Sequence, residues 1–225
     1  MPSSASKSSA SVTVERRPGR GRPPGNTAEA TRKRLLEVAH RKFSEHGYEA
    51  TATPDIVAAA GVSQSVLYHH FGSKAGLYTA VVKQVMDLTL EAFEQAIAGR
   101  TKLLDRLDGI LEALTVIGPV YGPENPIMVM APFEVRNHSE LRDAREQLRR
   151  NVTFFTELLE GAEDGDNYPP AVVQMGIAIM WGLTGIGAIS SDQRQYLGAV
   201  EAVRALIAGT LGRGDEGKAR PRKAR

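Results

Sequence analysis

One short stretch of the sequence concentrates side chains that could recognise nucleic acid. Gln64 could form a bidentate pair with adenine, a contact that discriminates against other bases by about 1–3 kcal/mol. Ser65 and His69 could hydrogen-bond to base edges or phosphates, and the methyl groups of Val66 could pack against a thymine methyl. This run of residue types favours readout of the DNA major groove.

The sequence lacks patterns that would favour catalysis or a bound metal. Its five histidines form no His-Glu-x-x-His motif, and neither Gly-x-Ser-x-Gly nor Gly-x-x-x-x-Gly-Lys-Ser/Thr occurs. His69 and His70 are adjacent on a predicted helix, so their side chains point too far apart to ligate one metal together. The absence of cysteine excludes disulfides, thiolate zinc sites and cysteine nucleophiles. We therefore predict no enzyme, no metal and no other cofactor.

Two short predicted helices around Gly61 have the spacing of a helix-turn-helix. Thr53 is the expected N-cap of the first, with a proline and an aspartate behind it, and this helix should run to Ala60. Gly61 supplies the positive φ of the turn, and Ser63 caps the second helix, which ends before Gly72. In such a unit the second helix enters the major groove.

Neighbouring helices should support this unit. A first helix is predicted from Ala28 to His46, closed by Gly47. Ser73 caps a fourth, which runs to about Ala98 with the apolar stripe Leu77, Val81, Val85, Leu88 and Phe93. Ile56, Ala60, Val62 and Leu67 are apolar where the helices must touch, so the face opposite Leu67 is left for a partner.

The segment "GYEATATPDIVAAAGVSQSVLYHHFGSKAGLYTAV" resembles the N-terminal domain of the TetR (tetracycline-repressor-like) family. The resemblance extends from about Arg32 to Val82, and "AGVS", "LYHHF" and "SKAGL" at these spacings are more specific than a generic helix-turn-helix. Val57 stands where the family usually has alanine, and Ala52 where it often has threonine or serine. The rest of the chain resembles the family only in length and helical rhythm.

The resemblance implies a sequence-specific transcriptional regulator, most simply a repressor that a small, largely apolar ligand releases from a palindromic operator in double-stranded DNA. Thr53, Tyr68 and Lys74 suit phosphate contacts. His70 points nearer the buried side, where packing or capping competes with base reading. The candidate DNA-binding residues are Thr53, Ser63, Gln64, Ser65, Val66, Tyr68, His69, His70 and Lys74.

Helical periodicity continues to the end of the chain, and no clean alternation predicts a strand. Further helices are expected over Lys102–Ile117, after Pro126, and over Ser139–Glu160, Pro170–Ser191 and Gln193–Leu211. We predict an all-α fold with an N-terminal three-helix DNA-binding domain and a C-terminal helical ligand-binding and dimerisation domain. The uncharged run from Ala171 to Ser191 could span a bilayer by length, but its interspersed glycines and central Trp181 favour a buried soluble helix.

The family resemblance implies a homodimer through the last two helices. Gly182, Gly185, Gly187 and Ala188 permit close helix approach, either between subunits or within the chain. An effector pocket that suits an apolar or aromatic ligand is expected among Met128, Met130, Phe133, Phe154, Phe155, Met175 and Trp181, although each could simply fill the core. Arg136 and His138 could meet an acidic group on the effector or lie in a solvated turn.

Both ends of the chain are basic, whereas acidic residues predominate between Leu35 and Leu211, within a net charge of +2. The predicted organisation is a disordered basic arm (1–27), a DNA-binding domain (28–75), an effector-binding and dimerisation domain (76–211) and a disordered basic tail (212–225). In the arm, "RGRP" resembles an AT-hook that would place Arg20 and Arg22 in a minor groove; a flexible basic linker fits equally. A cytoplasmic location is expected.

Two other functional classes remain open at this point. A DNA-binding regulator or architectural protein without a small-molecule effector would carry the same reading helix. An enzyme is the more remote alternative, because none of the catalytic motifs above is present.

Overall fold

The computed structural model describes residues 28–118, 126–190 and 192–211, and within them the chain is helical without strands, as predicted. The basic arm with Arg20 and Arg22, and the tail 212–225, lie outside the described residues. The helices are α1 (Ala28–Ala50), α2 (Thr53–Ala60), α3 (Gln64–Phe71), α4 (Lys74–Ile97), α5 (Leu103–Ile117), α6 (Ile127–Asn137), α7 (Arg142–Glu160), α8 (Ala171–Ile189) and α9 (Gln193–Leu211). Short 3₁₀ turns cover Ser139–Leu141 and Gly165–Asn167. We refer to α1–α3 as the head and to α4–α9 as the body.

Turn chemistry sets the boundaries of the head helices. Gly61 ends α2 in the left-handed conformation (φ 63°, ψ 39°), as the turn requires. Ser63 is the N-cap of α3, and Ser73 caps α4 by accepting the Gly76 N–H at 2.9 Å. The prediction that Thr53 caps α2 is wrong by one residue. Ala52 occupies the N-cap, and Thr53 is buried within the first turn, where its hydroxyl bonds to α3 instead.

The first helix bends at Gly47 and does not end there. Gly47 has the positive φ expected of it (75°), but its ψ of 176° is extended, and helical structure resumes as far as Ala50. Thr51 then closes the segment, because its hydroxyl donates to the Gly47 carbonyl at 2.7 Å and lies 3.1 Å from the Lys42 carbonyl. The segment after the bend contacts the body, because the Tyr48 N–H donates to Glu134 of α6.

Helix α4 joins the head to the body without a break, so the expected boundary at residues 75 and 76 falls inside one helix. Its first turns bury Tyr78, whose ring centroid lies 5.0 Å from that of Phe43 and 5.2 Å from that of Tyr48. Further along, α4 packs against α5 and α7. Leu88, which is predicted to lie in the buried stripe, is 56% exposed. Met86 and Thr89 lie instead on the face of α4 that is buried against neighbouring helices.

Helix α8 is long and apolar enough to cross a membrane by length and composition, and it packs against α6, α7 and α9. Met180 and Leu183 lie on its buried side. The opposite side exposes small residues, among them Ala178 and Gly182. Only about a third of this apolar helix is buried within the described chain (33%), so a large apolar face stays uncovered.

Candidate DNA-binding interface and adjoining cavity

Helix α3 presents the predicted reading face to solvent. Leu67 is fully buried and anchors the helix against the head core, whereas Ser65, Tyr68 and His69 on the other sides are exposed. Val66 is half-buried and packs against the edge of that core. One inward leucine thus orients the whole helix, as the amphipathic pattern predicts.

The exposed residues of α3 border a groove that the start of α1 helps to form. The groove encloses about 1120 Å³ of empty space, part of it open solvent, and its walls are Ala28, Thr31, Gly61, Val62, Ser65, Val66, His69 and His70. His70 is half-buried and shares this groove, and its ring centroid lies 5.5 Å from that of His69. Arg32, which sequence reasoning did not select, lies with its guanidinium 5.3 Å from the Phe71 ring at the end of α3. Helical periodicity alone does not reveal that contact between α1 and α3.

Three predicted DNA-binding residues hold one another in place. The Gln64 Nε2 donates to Thr53 Oγ1 at 2.9 Å and to the Tyr68 hydroxyl at 3.3 Å. The pKa of the exposed Tyr68 phenol is lowered from its ordinary value of 10.0, most by a hydrogen bond with Thr53 and less by the one with Gln64. The network ties α3 to the first turn of α2 and restrains the rotamers of side chains that a flexible surface would leave free.

This network sharpens the expected adenine contact. A Gln amide nitrogen has two hydrogens, and both are engaged, one by Thr53 and one by Tyr68. A bidentate pair with adenine needs one of those hydrogens and the amide oxygen. The longer bond to Tyr68 is the one that Gln64 can release at the smaller cost, and Tyr68 only accepts in that bond, so its own O–H can donate to a phosphate whether or not the bond is kept.

Lys74, predicted to contact phosphate, has partners within the chain. Its Nζ donates to the Glu49 carbonyl oxygen at 3.0 Å and lies 4.5 Å from the Tyr48 ring centroid. Lys74 therefore stabilises the C-terminal end of α1, where a positive charge is favourable. Ser63 also has a neighbour, since its hydroxyl lies 2.8 Å from that of Ser65.

Helix α6 connects the head to the interior of the body. Glu134 Oε1 accepts the backbone N–H of Tyr48 at 2.9 Å, a contact across 86 residues. His138, at the end of α6, places its imidazole 3.3 Å from Glu134 Oε2 and 3.6 Å from Glu49 Oε2. The residues just before Glu134 on the same helix line a cavity, so one short helix contacts both regions.

That cavity lies between α4, α5, α6, α7 and α8 and encloses about 600 Å³ of empty space, including its open mouth. Its lining is Thr89, Leu114, Ile117, Met128, Val129, Phe133, Asn151, Met180, Trp181 and Thr184. Asn151 is 2% exposed, and within the described residues its Oδ1 has no hydrogen-bond partner, while Nδ2 contacts the Met86 sulfur at 3.7 Å. The cavity is thus apolar with a few polar groups, the composition of a small-molecule site.

Some of the predicted pocket residues line the cavity and others do not. Met128, Phe133 and Trp181 line it, with Phe133 and Trp181 partly exposed near its mouth. Phe154 and Phe155 are buried core residues outside its lining, Met130 lies on α6 beside Gly47, and Met175 packs against the core. The polar lining residues were missed, because single Thr and Asn residues on helices far apart in sequence carry no local signal.

Residues 35–81 match the model of the family described as bacterial regulatory proteins, tetR family. The transcriptional activator FasR of Mycolicibacterium smegmatis is 38% identical over 101 residues, which is 44% of this chain but only 46% of FasR. The repressor KstR2 of the same organism is 26% identical over 75% of this chain and 88% of its own length.

Solved structures share the fold across most of the chain. The GusR structure from Salmonella enterica has a TM-score of 0.64 at 21% identity, over 81% of this chain and 95% of GusR. A TetR-family transcriptional regulator from Agrobacterium tumefaciens has the same TM-score at 14% identity, over 80% of this chain and 98% of that one. The family model matches only the head and the start of α4, whereas the resemblance in fold includes the body.

Proposed function

Because this chain is a DNA-binding transcriptional regulator of the TetR family, we propose that it is a homodimeric repressor that a small, largely apolar ligand releases from a palindromic operator. The observation that carries this proposal is the double contact of α6, which bonds the head through Glu134 and lines the body cavity through Phe133. Occupation of the cavity can therefore change the position of the head.

The reading face is the first part of the proposal. Gln64, Ser65, Val66 and His69 meet base edges in the major groove, with Ser63 and His70 at the margins of the contact. Thr53, Tyr68 and Lys74 position the helix on phosphates, which fixes register without selecting sequence. The Gln64 network presents this surface already ordered, which reduces the side-chain entropy lost on binding DNA.

A second copy of the chain covers the open side of the last two helices. At Gly182 and Gly185 on α8, and at Gly198 and Gly209 on α9, a Cβ would have no neighbour within 4 Å among the described residues outside the helix's own backbone. Gly187, by contrast, faces the Tyr196 ring and serves packing within the chain. The exposed glycines let helices of two subunits approach closely. The partner subunit then covers the exposed apolar face of α8, which a membrane would otherwise have to cover. This accords with a cytoplasmic protein.

The ligand occupies the cavity and shifts an existing equilibrium between two states. A ligand that fits the cavity in only one position of α6 stabilises that position by its difference in affinity for the two states. Movement of Phe133 is transmitted along α6 to Glu134 and from there to Tyr48, which alters the spacing of the two reading heads. DNA and ligand then weaken each other's binding by the same factor.

The experiment titrates 1-decanol, a small apolar probe, into the protein bound to a fluorescent operator fragment. We expect release of DNA together with a higher Tm of the free protein. Thr184→Phe, which places a phenyl group in the cavity, should abolish the response to decanol. Thr153→Phe on the exposed side of α7 is the matched control and should retain it.

A decanol response that Thr184→Phe leaves intact would refute this cavity as the effector site. If no small apolar compound raises Tm or releases DNA, the chain is instead a DNA-binding regulator without a small-molecule effector.

A further inference from the structure

A second concavity, lined by arginines, adjoins the effector cavity. It lies between α6, α7 and α8 and encloses about 780 Å³ of empty space, including open solvent. Apolar side chains form its floor, and three arginines stand around it: Arg136, Arg145 and Arg149. An exposed apolar concavity rimmed by charged side chains is typical of a ligand-binding groove or a protein contact site.

The groove and the cavity share a residue. Trp181 is part of both linings and is 43% exposed. On α6, Phe133 lines the cavity and its neighbour Pro132 lines the groove. A single elongated molecule could therefore extend from the cavity past the indole into the groove.

Carboxylates among the described residues neutralise little of the positive charge of the groove. In the described part of the chain, neither Arg136 nor Arg145 forms an ion pair with a carboxylate. Arg145 donates to the Val135 carbonyl, and the Arg136 guanidinium lies 5.9 Å from the Phe133 ring centroid. Arg149 is 3.4 Å from Glu146, but both side chains are more than two-thirds exposed, so this pair is weak.

We propose that the effector is an anionic amphiphile whose hydrocarbon part fills the cavity and whose carboxylate or phosphate head group binds Arg136 and Arg145 in the groove. The inference rests on the proposed effector function of the cavity and names the chemical class of its ligand. Guanidinium groups bind these anions through paired N–H donors with a geometry that neutral groups cannot match. The apolar floor, including Val152 and Trp181, covers the chain where it leaves the cavity.

The test uses three probes with the same ten-carbon chain: decanoate, decyl phosphate and 1-decanol. The two anions are kept below their critical micelle concentrations and 1-decanol below its solubility limit. Binding is followed by the fluorescence of Trp181, the chain's only tryptophan. We expect at least one of the two anions to bind about tenfold more tightly than decanol, and this preference to shrink as ionic strength rises. The comparison of the anions distinguishes a carboxylate from a phosphate head group.

Variants then assign the preference to the groove. Arg136→Gln together with Arg145→Gln should remove the preference and leave decanol binding unchanged. Arg142→Gln is the control. Arg142 lies on α7 with Arg145, is 86% exposed beside Asp143 and does not line the groove. Sedimentation of each variant tests whether the groove belongs to the subunit interface instead.

Equal binding of decanol and both anions would overturn the inference and leave the apolar effector site standing. The same holds if the double variant keeps the anion preference, or if it changes only the oligomeric state. If none of the three probes binds in a saturable manner, both the inference and the proposed effector cavity fail.

Discussion

The reading face of the head and the cavity of the body use polar side chains in opposite ways. At the reading face, Thr53, Gln64 and Tyr68 satisfy one another in a hydrogen-bonded network. In the body, the buried Asn151 oxygen has no partner among the described residues, and Arg136 has no carboxylate partner there. A surface that holds itself in order is suited to a ligand of fixed shape such as a DNA groove. A cavity whose polar groups lack hydrogen-bond or ion-pair partners is suited to a ligand that supplies those partners.

The largest effect should follow from a negative charge on the reading face. Ser65→Glu places a carboxylate on the face of α3 that is proposed to enter the major groove. We expect operator affinity to fall by at least about 100-fold, since a base-edge contact is lost and phosphates are repelled. Thr153→Glu adds the same charge to the exposed side of α7 and should leave affinity within about twofold. Electrophoretic mobility shift at constant salt measures both. Equal losses would show that the effect is one of net charge alone.

The next prediction concerns the open face of the body. Gly182→Leu inserts a side chain where no described residue of the monomer comes within 4 Å, so folding should be retained and the helix should gain up to about 1 kcal/mol. The dimer, however, should dissociate, and affinity for a palindrome should fall about tenfold or more as bivalent binding is lost. Thr153→Leu is the control. A Gly182→Leu protein that sediments as a dimer would place the interface elsewhere.

The contact between the two regions can be tested at a glycine. Gly47 and Gly99 both have positive φ (75° and 76°), but Gly47 combines it with an extended ψ of 176°, a conformation that glycine alone adopts readily, so alanine at Gly47 carries its own backbone strain. Only at Gly47 would the new Cβ meet Glu134 Oε1, at 2.9 Å, and push it away from Tyr48. Urea denaturation should show a larger loss for Gly47→Ala than for Gly99→Ala, because backbone strain and the displaced Glu134 both act at Gly47. The coupling between ligand and DNA separates the two causes: Gly47→Ala should weaken it and Gly99→Ala should not, and equal coupling in the two variants would refute α6 as the link.

The smallest effect is a pH dependence of stability that comes from the head. Burial lowers the pKa of His40 below its ordinary 6.5, and its Nε2 has no hydrogen-bond partner in the described structure. The folded state therefore resists protonation, so stability is full above pH 6.5 and declines as pH falls below it. One proton can account for at most about 1.4 kcal/mol per pH unit, and this half-buried ring should give well under that.

Urea denaturation between about pH 7.5 and pH 5.5 measures this decline, which should flatten in His40→Gln. His69→Gln, a change at an exposed histidine of the same region, should leave the decline in place. An unchanged slope in His40→Gln would assign the pH dependence to another group.

The difference between the regions also explains what the sequence could predict. In the head, Gly61, Ser63 and Ser73 act on neighbours within a few residues, and the reading helix was located from them together with the family motifs. Thr53 was misplaced as a cap because its hydroxyl has a better partner in Gln64, eleven residues away. The helices of the body were located by periodicity and breakers, and α9 agrees with its predicted bounds.

The cavity was only partly predictable. Phe133 and Trp181 were selected as large apolar side chains, but so were Phe154 and Phe155, which fill the core. Which large side chains line an opening depends on how five helices pack, and no spacing within one helix contains that information. The link from Glu134 to Tyr48 was missed for the same reason.

Selection of binding sites from a random DNA library decides whether α3 reads sequence in two symmetric half-sites. We expect the wild-type protein to select an inverted repeat. Gln64→Ala should lose preference at one base pair of each half-site, while Lys74→Ala should keep the same site with lower affinity and a flatter salt dependence. If no preferred sequence is recovered, or the selected site lacks two-fold symmetry, a symmetric pair of α3 helices does not read the DNA.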